Sequence, residues 1–307
     1  MPRLLVTGAS GLLGANLVLT AAGIYETVGL CYRHPIALEG VEVVCTDLSQ
    51  PGAAGSMIET YAPDWVVHCA AATDVDSCDE DPQWAYRINR DMASWVAEAT
   101  WAVGARLVQI STDAVFDGVR EDYRESDTPN PINVYASSKL AGEEAVVAGH
   151  PEAAIVRTNF YGWNAQPKHS LAEWFLERLE RGQSCPGFTD VWVTPILVND
   201  LSILLLQILE EGLKGIFHVV GSECVSKYEF GLRLAKIFRL EASLLEPISV
   251  DQAGLRAPRA RRLCLCGEKI ANALGVQLPS VDDGLNNFRM LREEGFPTRL
   301  KELMRRS

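Results

Sequence analysis

The sequence predicts an α/β protein, a doubly wound parallel sheet with a smaller C-terminal α/β lobe. Three observations predict it. Short β-type runs alternate with helix-type runs through the first half, as βαβ units require. Runs such as WVVHCAA are apolar throughout, which fits strands covered on both faces. The 307 residues, at about 150 per domain, make two units or one large unit with an appended lobe.

Taken in order, Leu4–Thr7 is the first strand, and a glycine-rich turn follows it into the apolar helix Leu12–Ala22. Thr27–Tyr32 and Val41–Cys45 read as strands, and Gly55–Tyr61 as a helix. Trp65–Ala70 is the apolar run that needs cover on both sides. A long helical pattern spans Trp84–Val103, the strand Arg106–Ser111 follows, then the helix Val134–Ala148 and the strand Ala154–Thr158. Beyond Thr158 the alternation weakens. Helical patterns at Ser170–Arg181, Val198–Glu211 and Lys227–Phe238 surround a strand-like Gly215–Val220. A basic, Pro-containing stretch at 254–262 and a helical tail from Arg292 to Arg306 close the chain. The expected division gives 1–158, with elements from 191–221, to a dinucleotide-binding domain. It gives 159–190 and 222–307 to a substrate lobe.

Composition narrows the function classes. Apolar residues at 48% and charged residues at 22% can fill a core, so global disorder is excluded. Twenty-eight Lys and Arg against 40 Asp and Glu give −12, a poor balance for gripping nucleic-acid backbones. No apolar stretch is long enough to span a membrane, and the start lacks a signal peptide's apolar core. A cytoplasmic location is expected. The eight cysteines form no CxxC pair, and free thiols in a reducing compartment are the expectation. The five histidines are scattered, and no metal site is expected.

Gly8, Gly11 and Gly14 follow the first strand, with Ser10, Leu12 and Leu13 between and beside them. Glycines there permit a tight strand-to-helix turn and close approach of backbone to a pyrophosphate. The following helix start supplies free N–H groups for it. The second strand ends in Arg33 instead of an acidic residue. A cation there suits a ribose 2′-phosphate, so NADP(H) is favoured and NAD(H) is the alternative. Asp47 and Leu48, after the third strand, are placed to meet an adenine.

Tyr135 and Lys139 share one helix face, four residues apart. A phenol titrates near 10, and a neighbouring ammonium lowers that value. Tyr135 can then exchange a proton with a carbonyl oxygen as hydride moves. Thr112, at the end of the fifth strand, is placed to hydrogen-bond the same oxygen, in the crevice where such sheets bind ligands.

These pieces resemble the extended short-chain dehydrogenase/reductase superfamily, and within it the dTDP-4-dehydrorhamnose reductase (RmlD-like) family. The matching segments run from VTGASGLLG through HCAAATDVDSCDEDPQWAYRIN, QISTDAVFDG, PNPINVYASSKLAGEEAV and IVRTNFYGW to TPILVNDL and RAPRARRLCLCGEKIANALG. The resemblance implies an NAD(P)-binding Rossmann fold with Thr112, Tyr135 and Lys139 as catalytic residues. It places Ala70, Ala71 and Ala72 along the cofactor and makes Asn89 a structural residue. Thr73, Val75 and Asp113 fall on the substrate side. Asp113 is followed by Ala114, where related 4,6-dehydratases carry a second carboxylate, so carbonyl reduction is implied over dehydration. Arg259 is the cation of the basic stretch expected to meet a substrate phosphate. The implied activity is NADPH-dependent reduction of a keto group on a nucleotide sugar. The alternatives are a sugar-nucleotide epimerase and a non-catalytic NADP-binding regulatory subunit. A homodimer is open by analogy.

Overall fold

The computed structural model describes residues 1–305. Six strands, β1 (Arg3–Thr7), β2 (Glu26–Cys31), β3 (Val41–Cys45), β4 (Trp65–His68), β5 (Arg106–Thr112) and β6 (Ala154–Thr158), are joined at the sheet's edge by Gly215–His218. From that edge the order is Gly215–His218, β6, β5, β4, β1, β2, β3, and every pairing is parallel. The order reverses at β1 and β4, whose carboxyl ends lie side by side with Thr7 opposite His68. A crevice at such a reversal is where doubly wound sheets take ligands.

Helices cover both faces. They are α1 (Leu12–Ala21), α2 (Ala53–Tyr61), α3 (Val75–Glu80), α4 (Pro82–Tyr86), α5 (Met92–Ala102), α6 (Val134–Gly149), α7 (Leu171–Glu180), α8 (Val198–Glu210), α9 (Lys227–Phe238), α10 (Glu268–Leu274), α11 (Val281–Glu293) and α12 (Phe296–Arg305). Leu4, Val6, Val67 and Val156 point to one core, where α1 and α8 pack. Leu5, Val66, Leu107 and Ile155 point to the other, under α2 and α5. That two-sided burial explains why the strands read as unbroken apolar runs.

Two expected helices are divided. The pattern over Trp84–Val103 becomes α4, a π-helical turn at Arg87–Asp91, and α5. The wide turn carries Asn89 toward the sheet, and α6 passes so close that a side chain at Gly142 would strike the Asn89 carbonyl. Such insertions are common beside functional sites. The basic tail is also interrupted, because Gly295 takes φ +75° between α11 and α12. A left-handed residue ends a helix, and Gly does so without steric cost. Arg306, in the expected tail, lies outside the described residues.

The second half builds three small sheets. Phe160–Tyr161 pairs with Ile196–Leu197, and Leu245–Ile248 with Cys185–Phe188. In the third, Val225–Ser226 and Arg262–Leu263 flank Trp192–Val193. These two-to-four-residue strands carry no periodic signal, so sequence patterning misses most of them.

The expectation of eight free thiols is corrected. Cys224 and Cys264 form a disulfide with Cα atoms 5.4 Å apart. They sit just outside the two flanking strands of the third small sheet, which brings residues distant in sequence into bonding range. The remaining six cysteines are free. Closing a loop of 40 residues restricts the unfolded chain by about 4 kcal/mol in the chain-entropy model. Reduction with a dithiol is therefore expected to lower the denaturant midpoint, and a Cys224→Ser/Cys264→Ser variant is expected to lose that response.

Candidate active site

The glycine turn is fixed by contacts that only hydrogen can make. Gly8 has φ +64°, and a Cβ there would sit 2.8 Å from the Ala70 nitrogen; at Gly14 one would meet the Gly8 carbonyl at 2.1 Å. The turn is thus pressed between β4's end and its own helix. Gly11 caps α1 without any side-chain hydrogen bond, which leaves the first helical N–H groups available to an anion. Leu12 and Leu13 open that helix, and Leu13 and Ser10 are buried. Gln166, unassigned in the sequence, donates to the Ser10 carbonyl at 2.8 Å. It lies 156 residues away, and no local pattern announces it.

Asp47 spends its carboxylate on its own turn, accepting from Ser49 N at 3.0 Å and from Gln50 Nε2 at 3.0 Å. The Ser49 hydroxyl, which donates to Asp47 Oδ1 at 2.6 Å, and these two bonds hold its carboxyl below the usual range. Leu48 beside it is buried. Arg33 is exposed at the end of β2, with its guanidinium 4.8 Å from the centre of the Tyr32 ring. Thus β2 and β3 present Arg33 and Asp47–Leu48 on the side of the glycine turn away from β4.

Across the reversal, Thr7 Oγ1 hydrogen-bonds His68 Nδ1 at 2.7 Å and accepts from Ala70 N at 3.2 Å. Burial holds the His68 imidazolium acidic, at about 3, so the ring is neutral. Asn89 fixes the next stretch. Its Oδ1 accepts from Ala72 N at 2.9 Å, and its Nδ2 donates to Ala72 O at 3.1 Å and Ser138 Oγ at 2.9 Å. One side chain therefore ties the Ala70–Ala72 segment to α6, the helix that carries Tyr135 and Lys139. Thr73 is exposed, and Val75 opens α3 behind the Asp74 cap.

Thr112, Tyr135 and Lys139 come together beside this segment. Lys139 is buried, and its Nζ donates to Ile110 O on β5 at 2.7 Å. Burial brings the ammonium down to about 8, and the Glu143 carboxylate one turn along opposes that shift. Tyr135 differs from the sequence expectation. Burial and the nearby Asp113 carboxylate push its phenol up to about 12, against a hydrogen bond with Thr112 that favours the phenolate. The ammonium is committed to β5 instead of to the phenol, so the chain's own groups hold Tyr135 as an acid.

Thr112 Oγ1 donates to Asp113 Oδ1 at 3.0 Å and accepts from Ala114 N at 3.2 Å. Asp113 is 3% exposed, and its other oxygen accepts from Asn159 Nδ2 at 2.7 Å. Burial lifts this carboxyl to about 6. Asn159 and Lys227, the other close polar groups, are absent from the sequence-based site.

The basic stretch is paired throughout. Arg256 meets Glu80, Arg261 meets Asp190 and Asp251, and Arg262 meets Glu121. Arg259 donates to Asp76 Oδ1 at 3.0 Å and to Ala257 O at 2.9 Å. It is nevertheless placed near the helix that carries Tyr135 and Lys139, because Asn133, the cap of α6, donates to Pro258 O at 3.0 Å. A phosphate reaching Arg259 would compete with Asp76 for it.

The chain matches the family model described as the RmlD substrate binding domain over residues 2–292. It is 31% identical to a Haloferax volcanii protein named "Probable low-salt glycan biosynthesis reductase Agl14", over 91% of this chain and 95% of that one. It is 33% identical to the methionine adenosyltransferase 2 subunit beta of Bos taurus, over 90% of this chain and 84% of the other. The dTDP-4-dehydrorhamnose reductase of Bacillus anthracis, solved in complex with NADP, superposes with a TM-score of 0.85 at 29% identity, covering 94% of this chain and 99% of that one. With the glycine turn, the Thr-Tyr-Lys cluster and a match across nearly its whole length, the chain belongs to the RmlD substrate binding domain family.

Proposed function

We propose that this protein reduces a keto group on a nucleotide sugar, with NADPH as the favoured cofactor and NADH as the alternative. One observation carries the reading: Thr112, Tyr135 and Lys139 converge at the carboxyl end of β5, beside a glycine turn that leads into an uncapped helix. The Bacillus anthracis relative, solved with NADP, supports the cofactor, and its printed activity supports the substrate class. The turn fits a pyrophosphate, since Gly11 starts α1 with no side-chain cap and the first helical N–H groups stay unspent.

A bound nicotinamide supplies the hydride. The chain's residues do the rest. Tyr135, held protonated, gives its phenolic proton to the carbonyl oxygen as charge develops there. Thr112 orients that oxygen. Lys139 lends positive charge beneath the site. Asp113, Thr73 and Val75 form the substrate side on the cofactor-binding half, and Arg259 joins them from a lobe formed by 159–190 and 222–307. The location is taken as cytoplasmic, although the Cys224–Cys264 bond removes the argument from free thiols. No helix among the described residues is long and apolar enough to cross a membrane.

The test is NADPH consumption by the purified protein against a panel of nucleotide-linked 4-keto sugars. Oxidation that depends on one of these substrates is expected. Oxidation by none of them, with a partner enzyme co-purifying, would support the second reading, a non-catalytic NADP-binding subunit. The similarity to the Bos taurus subunit favours that alternative. Arg33 gives a separate prediction. An Arg33→Ala variant is expected to lose about tenfold or more in affinity for NADPH while NADH binding stays level, because a charged hydrogen bond is worth about 1.5–3 kcal/mol. Equal losses for both cofactors would detach Arg33 from the 2′-phosphate.

A further inference from the structure

Thr112 ends β5, and Asp113 stands one residue beyond it. Thr158 ends β6 directly opposite Thr112, so Asn159 stands one residue beyond on the neighbouring strand. That register brings the two side chains together, and Asn159 Nδ2 donates to Asp113 Oδ2 at 2.7 Å. Asn159 is itself anchored. Its carbonyl accepts from Ile196 N at 2.9 Å, and Phe160–Tyr161, which follow it, pair with Ile196–Leu197. The Asp113 carboxylate is thereby aimed, with Oδ2 on Asn159 and Oδ1 on the Thr112 hydroxyl at 3.0 Å. Thr112 and Asp113 are both buried, so bulk water does not compete for these bonds.

A hydroxyl has one hydrogen and two lone pairs. Beside a charged carboxylate, the Thr112 hydrogen is spent on Asp113 Oδ1, and one lone pair accepts from Ala114 N at 3.2 Å. A ketone oxygen only accepts, so Thr112 in this state has no hydrogen to give it. A proton on Asp113 Oδ1 reverses the bond. The carboxyl O–H then donates to Thr112 Oγ1, and Ala114 N occupies the other lone pair. The Thr112 hydrogen is left to turn toward the crevice beside Tyr135. Oδ2 accepts from Asn159 in both states, so the carboxyl keeps its place while the hydroxyl turns.

We propose that Asp113, aimed by Asn159, is a positioning residue that sets the direction of the Thr112 hydroxyl, so that Thr112 donates to the substrate carbonyl only while Asp113 is protonated. This deepens the reductase reading above and rests on it. The charge balance supports two accessible states. Burial favours the neutral carboxyl. The hydrogen bonds from Asn159 and Thr112 and the Lys227 cation favour the charged one, and the carboxyl stands at about 6. The Tyr135 phenol, which faces it from α6, stays protonated through that range. As pH rises through the Asp113 value, the carboxylate takes the Thr112 hydrogen and reduction slows. Lys139 loses its charge only at about 8, so its own limb is separable.

The experiment measures kcat/KM for reduction of the best 4-keto sugar nucleotide of the panel, from roughly pH 5 to 8, in wild type, Asp113→Asn and Asn159→Ala. Infrared difference spectra of the substrate-free protein follow the carboxyl band that Asp113→Asn lacks. NADPH affinity and the melting temperature serve as controls for folding. Wild type is expected to lose about tenfold in kcat/KM between roughly pH 5.5 and 7.5. Asp113→Asn is expected to lose that limb, whatever its absolute rate, because its amide donates to Thr112 at every pH and its oxygen accepts from Asn159. Asn159→Ala removes a hydrogen bond to the charged carboxyl, so limb and infrared titration are expected to move together to higher pH, by about half to one unit. If Asn159→Ala fails the folding controls, the Asp113→Asn profile decides. A limb retained in Asp113→Asn overturns the proposal, and so does an infrared titration that moves in Asn159→Ala while the limb stays. Wild type that turns over without this limb overturns the proposal alone, whereas turnover with no nucleotide sugar overturns the reductase reading as well.

Discussion

The Tyr135→Phe variant is expected to lose about two to four orders of magnitude in reductive turnover, the usual contribution of a positioned general acid. Only the phenolic oxygen is removed, so the ring continues to pack against Ala72, Cys78 and Ala85. Melting temperature and NADPH affinity are expected to stay near those of wild type. The size of the effect follows from the charge environment. Burial and the Asp113 carboxylate hold the phenol near 12, so it is protonated throughout the neutral range and available as an acid in the reductive direction. The opposite direction requires a phenolate, which the chain alone disfavours. Single-turnover NADPH oxidation with the best substrate of the panel is the measurement, and turnover undiminished in Tyr135→Phe would remove the proposed mechanism.

The sheet was legible because its strands are buried on both faces and its helices are periodic. The spans Val41–Cys45, Ala154–Thr158 and Lys227–Phe238 match the structure residue for residue. The glycine turn and the Tyr135–Lys139 spacing were legible for a related reason, since each is a local pattern imposed by local geometry. What escaped the sequence depends on distant pairing. Asn159 meets Asp113 from just beyond the end of β6, and Cys224 reaches Cys264 across the small sheet around Trp192–Val193. Gln166 meets Ser10 through a loop with no periodicity. The sign of the Tyr135 shift escaped for an electrostatic reason. Spacing places the ammonium on the same helix face, but it cannot show that Lys139 is already bonded to Ile110 O or how much burial weighs on the phenol.

Replacing Glu143 with Gln is expected to destabilise the fold by about 3–5 kcal/mol, the cost of leaving one member of a buried ion pair alone. Arg157 Nε donates to Glu143 Oε1 at 3.0 Å and its NH2 group to Oε2 at 2.7 Å. The two side chains are 2% and 4% exposed, so water cannot take over for a lost partner. Ser111 also donates to this carboxylate, and the Arg157 guanidinium lies 5.2 Å from the centre of the Phe116 ring. Glu143 thereby joins β5, β6 and α6 directly beneath the proposed catalytic residues. It is also the countercharge that keeps Lys139 from falling further, since burial alone pushes that ammonium down. Two readouts should move together: the urea midpoint falls, and the acidity of Lys139 increases. A Glu143→Met/Arg157→Met double variant separates them. It removes both buried charges, so most of the stability should return, while Lys139 still lacks its countercharge and reductive turnover stays depressed. A Glu143→Gln protein that unfolds at the wild-type urea concentration would show that the pair does not hold the sheet to α6. A double variant that regains full turnover would show that Lys139 does not depend on Glu143.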